Sequence, residues 1–188
     1  MTTDVLFVNP GNAFGIYQSL SKDFSAIETP TWSLLLAESC RSKGFDVSIL
    51  DVNAERIDNN EATKKIIKLN PKLIVIVVYG QNPNSGTVNM SGAISLATEI
   101  KKQSDNLIVS IIGSHVQALP IETMETEKDL DFIFTNEGIY SLWNILNLKK
   151  IELTNLKSIK GLCLRDENGK VFMTPAEKVV PQSRMDLD

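Results

Sequence analysis

Positive charge, cysteine, histidine and long apolar runs are all scarce in this sequence. Lys and Arg number 19 against 23 Asp and Glu, for a net charge of −4. No basic field is available to hold a polyanion, so neither nucleic acid nor an anionic membrane is expected as a partner. The longest uncharged apolar run, Leu73 to Tyr79, falls far short of the roughly 20 residues that span a bilayer. Residues 1–20 show neither a basic start followed by an apolar stretch nor a cleavage pattern, so the chain is expected in the cytoplasm. Two cysteines, Cys40 and Cys163, stand far apart with no second cysteine near either. That spacing fits neither a zinc site nor an iron–sulfur motif and predicts two buried, small apolar residues. The sequence offers no nucleophile beside a base, no close carboxylate pair and no cluster of metal-ligating residues. No catalytic residue and no metal ligand are assigned, and binding is favoured over catalysis.

What is present is an ordinary core-forming composition, 43% hydrophobic over 188 residues, enough for one main domain. Asp4 to Asn9 reads as a buried strand, followed by a loop at Pro10, Gly11, Asn12 and Gly15. Thr29-Pro30-Thr31 starts a helix with Leu34, Leu35 and Cys40 on its core face, and Gly44 ends it. Asp46 to Leu50 is a second strand and Asp58 to Leu69 a half-wet helix. Leu73 to Tyr79, uncharged throughout, suits a strand buried on both faces of a parallel sheet. It gives way to Gly80 through Ser85, a loop of amides, a proline and a hydroxyl. Met90, Ala93, Ile94, Ala97 and Ile100 recur at helical spacing, with the helix expected to start just past Gly86. Leu107 to Ile112 is a fourth strand ending in Gly113-Ser114-His115. Leu119 to Lys128 makes a short helix with its acids outward. Asp131 to Phe134 is a fifth strand, and Ile139 through Leu146 form another helix.

Strands alternating with helices imply an α/β fold with a doubly wound, five-stranded parallel sheet, flavodoxin-like or Rossmann-like, in the order 2-1-3-4-5. In that order the loops after the first and third strands face one crevice at the topological switch point, where open sheets bind ligands. Asn168-Gly169 between two alternating runs, Lys160 to Arg165 and Lys170 to Thr174, predicts a β-hairpin. The division expected is a Rossmann-like domain over residues 1–150, a hairpin appendage over 151–180 and a linker over 181–188.

Three classes that share the fold fail at their own residues. A receiver domain needs acids after the first strand and a phosphoacceptor after the third, where this chain has Asn9 and Tyr79-Gly80. The loop PGNAFG lacks the glycine spacing of a dinucleotide site. It is also poor in the Ser and Thr of a flavin phosphate loop. The ordered set VLFVNPG, TPTWSLLLAESCRSKGFDVSILD, NPKLIVIVVYG, IIGSHVQALPIETM, DFIFTNEGIYSLWNIL and IKGLCLRDENGKVFMTP resembles the amino-terminal cobalamin-binding domain of cobalamin-dependent radical S-adenosylmethionine (SAM) enzymes.

That resemblance implies a cobalamin (vitamin B12) cofactor over the carboxyl ends of the strands, its nucleotide tail in the crevice. The expected contacts are Asn9, Pro10, Gly11 and Asn12 after the first strand, and Tyr79, Gly80, Gln81, Asn82, Ser85, Gly86 and Thr87 after the third. Gly113, Ser114 and His115 follow the fourth strand, and Asn136, Glu137 and Gly138 the fifth. Gly11 stands where a related branch carries its cobalt-ligating histidine, so no lower ligand is expected from this loop. Ser114 replaces a second glycine. The C-x-x-x-C-x-x-C that holds a [4Fe-4S] cluster is absent, and the chain stops at RMDLD where the resembled enzymes run on. An excised or truncated module is therefore expected, itself without catalysis, with a radical SAM barrel in the same parent chain binding the cluster and S-adenosylmethionine.

The main alternative is a catalytically silent flavodoxin-like domain for protein interaction or small-nucleotide binding. Single residues keep plainer readings as well. Tyr79, Gln81 and Asn82 either contact cofactor or satisfy loop backbone. His115 is read as hydrogen-bonding or positional rather than cobalt-ligating, and Glu137 as capping the next helix or holding its loop. Trp32 and Trp143 are read as core, and Lys149-Lys150 as a solvated helix end.

Overall fold

The computed structural model describes residues 3–11, 27–79 and 83–184, with only the backbone of 83–88. Strands β1 (Val5–Asn9), β2 (Val47–Asp51), β3 (Leu73–Val77), β4 (Val109–Ile112) and β5 (Phe132–Phe134) are joined by helices. Those helices are α1 (Thr31–Ser42), α2 (Val52–Glu55), α3 (Asn59–Leu69), α4 (Pro83–Gln103), α5 (Ser114–Ala118) and α6 (Pro120–Thr126). Beyond β5 come α7 (Ile139–Leu146), α8 (Leu153–Leu156), β6 (Leu162–Arg165), β7 (Val171–Met173) and a 3₁₀ turn, Gln182–Arg184.

Among the described residues the strands form one seven-stranded sheet in the order β2-β1-β3-β4-β5-β6-β7. The first five are parallel in the expected order, with Val5 opposite both Val47 and Leu73. The hairpin, expected as an appendage to a five-stranded sheet, is instead its continuation. β6 pairs antiparallel with β5, setting Ile133 opposite Cys163, and β7 follows it antiparallel. The physical reason is that β5 would otherwise leave a row of backbone donors and acceptors unpaired, and the hairpin supplies their partners. The Asn-Gly turn is as expected, with Gly169 at φ +80°.

Both faces of the sheet are buried, which accounts for the uncharged run of β3. Leu6, Val8, Ile74, Ile76, Val78, Val109 and Ile133 pack under α3, α4, α5 and α6. Val5, Phe7, Leu73, Val75, Val77 and Phe132 pack under α1, α7 and α8. Helix α3 begins where Asp58 accepts the amide of Glu61, a side-chain N-cap. Helix α4 carries Ala93, Ala97 and Ile100 fully buried, as its period predicts, but it starts at Pro83 rather than past Gly86. Proline at a first turn costs no hydrogen bond, which lets the helix begin early.

Two expectations about α1 are corrected. Its buried residues are Ser33, Leu36, Ala37, Ser39 and Cys40; Ser33, Leu36, Ala37 and Cys40 are spaced i, i+3, i+4, i+7, and the small Ser33 and Ala37 let the helix lie close on the sheet. Leu34 and Leu35 therefore rotate outward, 46% and 57% exposed. Trp32, read as core, is 45% exposed, whereas Trp143 packs against the second core face. Both cysteines are buried, as expected. Arg165, at the end of β6, locks the hairpin to the domain. Its guanidinium donates to the carbonyls of Met124 (3.1 and 2.5 Å), Glu127 (2.8 Å) and Leu130 (3.0 Å), closing the carboxyl end of α6.

Candidate functional site

Parallel pairing brings the carboxyl ends of β1, β3, β4 and β5 to one edge of the sheet. Among the predicted residues, Asn9 closes β1, and Pro10, Gly11, Tyr79, Gly113, Ser114, His115, Asn136, Glu137 and Gly138 stand within four residues of those ends. Asn12, Gly80, Gln81 and Asn82 lie outside the described residues, and Ser85, Gly86 and Thr87 are described only as backbone in the first turns of α4.

At the end of β1, Asn9 donates its side-chain amide to Asp51 at 2.9 Å. The same carboxylate oxygen of Asp51 caps α2 by accepting from the Ala54 amide, also at 2.9 Å. Gly11 sits against that helix: a Cβ there would come within 3.1 Å of Val52 Cγ1 and 3.6 Å of the Asn53 nitrogen. A side chain at this position would press on the Val52 methyl, which would have to give by a few tenths of an ångström.

Tyr79, just past β3, is the junction of the edge. Its hydroxyl accepts a hydrogen bond from Gln117 Nε2 of α5, and its ring lies 4.5 Å from that of Trp32. Burial pushes its hydroxyl up to about 12; the Gln117 bond pulls the other way, and the nearby Glu137 charge adds to the rise. Gln117 also donates to the carbonyl of Asn136 at 2.6 Å. One amide group therefore ties the β3, β4 and β5 loops together.

After β4, Gly113 is small because of its neighbour strand. A Cβ would lie 2.4 Å from Val78 Cγ2 and 2.6 Å from the Val78 carbonyl oxygen. Ser114 opens α5. His115 lines a groove between α4 and α6 together with Met90, Ser91, Ile94, Glu122 and Thr123. That places it beside two helices.

After β5, the polar groups turn towards the chain that leaves β7. Asn136 Oδ1 accepts from the Gly138 amide at 2.9 Å, an Asx turn, with Gly138 at φ +75°. Asn136 Nδ2 donates to the carbonyl of Glu177 at 3.1 Å, and Glu137 Oε1 accepts the Val180 amide at 2.5 Å. Glu137 does hold its loop, but it caps no helix: the N-cap of α7 is Gly138, without a side-chain bond.

Gln117 and Trp32 were not singled out as contacts from the sequence. Topology alone placed Trp32 within reach, because the first turn of a helix that follows β1 must sit at the carboxyl edge. Gln117 had only its nearness to His115 as a signal. Among the described residues, no group of three or more His, Cys, Asp or Glu side chains is arranged to hold a metal ion, and no helix is long and apolar enough to cross a membrane.

The family model described as B12 binding domain matches residues 22–142, which takes in every strand of the parallel sheet after β1. Among solved structures, the chain is similar to the radical S-adenosylmethionine methyltransferase TsrM from Kitasatospora setae. Against TsrM with cobalamin and a [4Fe-4S] cluster bound, the TM-score is 0.67 at 21% identity, covering 97% of this chain and 30% of that one. Against TsrM with its tryptophan substrate and a SAM analogue bound, it is 0.65 at 20% identity, covering 91% and 30%. At these identities the likeness is one of fold, and the chain spans about 30% of the length of those structures. No protein with a curated description matches the sequence.

Proposed function

We propose a role that starts from one fact: this chain belongs to the B12-binding domain family. Cobalamin is the ligand that family membership implies, and the carboxyl edge of the sheet is where this chain would hold it. The observation that carries the reading is the meeting of the β1 and β3 ends at the switch point of the sheet, with β2 turning away on the other side of β1. The residues there fit such a ligand in kind. Amides, hydroxyls and glycines suit a phosphate-bearing tail and an amide-rimmed ring, and position 11 is a glycine that offers the metal no side chain. Asn9, Pro10, Gly11, Tyr79 and Ser114 would line the crevice, with Gly113 fixing the close approach of β4 to β3. When bound, cobalamin supplies a cobalt centre suited to group transfer.

The wider role is that of a cobalamin module within a B12-dependent radical SAM enzyme, possessing its [4Fe-4S] cluster and S-adenosylmethionine site in a barrel of the same parent chain. The fold shared with TsrM over 97% of this chain supports it. Methyl transfer is one reaction such a parent would perform.

Incubating the purified chain with hydroxocobalamin and desalting it is expected to leave a red protein with a base-off absorption spectrum. Colourless protein after refolding with the cofactor overturns the reading, and micromolar binding of a flavin or nucleotide in its place favours the silent flavodoxin-like alternative. A coding sequence that continues past Asp188 into C-x-x-x-C-x-x-C supports the radical SAM parent; continuation into an unrelated domain removes it.

A further inference from the structure

β7 runs antiparallel to β6, so the chain leaves the sheet at the same edge at which β1, β3, β4 and β5 end. The segment that emerges, Pro175–Val180, is held there by contacts from one short stretch. Asn136 binds the Glu177 carbonyl, Glu137 accepts the Val180 amide, and the Tyr140 ring lies 5.0 Å beneath the Lys178 ammonium. Gly161 adds a backbone bond to the Pro175 carbonyl at 2.8 Å.

We infer that Asn136, Glu137 and Tyr140 form a latch for the outgoing segment, and that Gln117 ties this latch to the crevice wall at Tyr79, so that filling the crevice and docking the segment favour one another. The latch stands on its own geometry; only the identity of the crevice ligand rests on the cobalamin reading.

Three features support it. Glu137 is a charged acceptor spent on a single backbone amide 43 positions away in sequence, and a charge-assisted bond of that kind fixes a chain segment more firmly than a neutral one. The segment has little else to hold it: Pro175, Ala176, Lys178 and Val179 are exposed. A stretch with few buried contacts opens locally at low cost, so docked and released states form a real equilibrium. Finally, the Gln117 amide bonds Tyr79 and the Asn136 carbonyl at once. A ligand that fixes Tyr79 fixes Gln117, hence the loop from which the latch projects, and linkage requires the effect to run in both directions.

Hydrogen exchange at the Val180 amide in the 188-residue chain tests this. Glu137→Ala is expected to speed that exchange about tenfold, the loss of one charge-assisted bond, with amides of β3 unchanged. Glu137→Gln, which keeps an acceptor, should restore most of the protection. Gln117→Ala, in protein without cofactor, is expected to speed Val180 exchange about threefold, and hydroxocobalamin to slow it by a similar factor in the unmodified chain but not in Gln117→Ala. Unchanged exchange in Glu137→Ala overturns the latch. Unchanged exchange in cofactor-free Gln117→Ala, or equal slowing by hydroxocobalamin in both proteins, overturns the tie. Failure of the unmodified chain to take up hydroxocobalamin, read from its spectrum, overturns the cobalamin reading instead and leaves both cofactor-free measurements decisive.

Discussion

Trp32 and Tyr79 meet ring to ring, their centroids 4.5 Å apart and their planes inclined by 30°. The contact joins the first turn of α1 to the end of β3 across the edge where the ligand is proposed to bind. Aromatic pairs of this kind add about 1 kcal/mol beyond the area they bury. Trp32→Ala should therefore lower unfolding stability by at least that amount, since the half-buried ring also loses its buried area, read as a shifted urea midpoint, while Trp32→Phe keeps most of it. An unchanged midpoint in Trp32→Ala would show that the rings merely adjoin.

Arg165 offers a second test, of the hairpin's attachment. Its four donor bonds end on three carbonyls, and burial lowers its pKa from the ordinary value while the Asp131 and Cys163 charges act the other way. Arg165→Ala is expected to cost about 2 kcal/mol, because carbonyls at the end of α6 lose charged partners. Lysine should recover only part of this, since a single ammonium cannot span three acceptors as the planar fork does. Chemical denaturation of the two variants beside the unmodified chain measures both effects.

Gly113→Ala should destabilise the sheet by about 2 kcal/mol or more, since overpacking against rigid backbone cannot be relieved by a side-chain rotation. The new methyl would fall 2.6 Å from the Val78 carbonyl oxygen and 2.7 Å from its carbon. Gly44→Ala is the control: its φ of +87° is strained for alanine, but nothing lies within 4 Å, so about 1 kcal/mol is expected. Equal losses in the two variants would argue against close packing of β4 on β3.

Alkali should weaken the fold through one buried and one half-buried acid. Burial pushes the Cys40 thiol from 9.0 up to about 12 and the Tyr79 hydroxyl from 10.0 up to about 12. Both raised values mean that the folded chain holds its protons longer than the unfolded chain does. Their stabilisation is whole below pH 9 and drains away as the pH climbs towards 12. Denaturation midpoints should fall over that window, less steeply in Cys40→Ala, and Cys40 should resist thiol reagents at pH 8 until the chain unfolds. Rapid labelling of Cys40 in folded protein would contradict its burial.

Acid acts on the opposite end of the sheet. The carboxyl of Asp4 is partly raised by burial, but its bond to Lys72, the Asp46 amide and the Lys72 charge outweigh this and set its pKa below 3.8. The depressed value gives a contribution present above pH 3.8 and lost as the pH falls through the folded-state value. It is small, because Lys72 is largely exposed and solvent screens the pair. Asp4→Asn should remove that part of the acid dependence and leave the midpoint near neutral pH almost unchanged.

How much of this was legible in the sequence depended on the range of the interactions involved. The charge-free run of β3, the helical spacing of Ala93, Ala97 and Ile100 and the Asn-Gly turn are local signals, and the parallel order followed from them by the rules of connection. The joining of β6 to β5 was not legible, because the partner of an antiparallel strand is chosen by which edge is left open, a property of the assembled sheet. Helix α1 misled for a related reason. Its apolar residues cover too broad an arc to reveal a face, and only the small size of Ser33 and Ala37 decides which side lies down. At the carboxyl edge, residue types pointed to the right loops, but the bonds that organise them run to main-chain carbonyls and amides of distant segments. Gln117 to Asn136 and Glu137 to Val180 leave no trace in side-chain pattern.

β7 forms the outer border of the sheet on the hairpin side, and it is only three residues long, with Pro175 two positions beyond Met173. A second chain seeking to extend the sheet there would find a template too brief to register on, ending in a residue with no amide hydrogen to give. The hairpin that satisfies β5 thus also protects the molecule from self-association through its β7 border. Lengthening β7 or replacing Pro175 is the change most apt to open that border to a second copy of the chain.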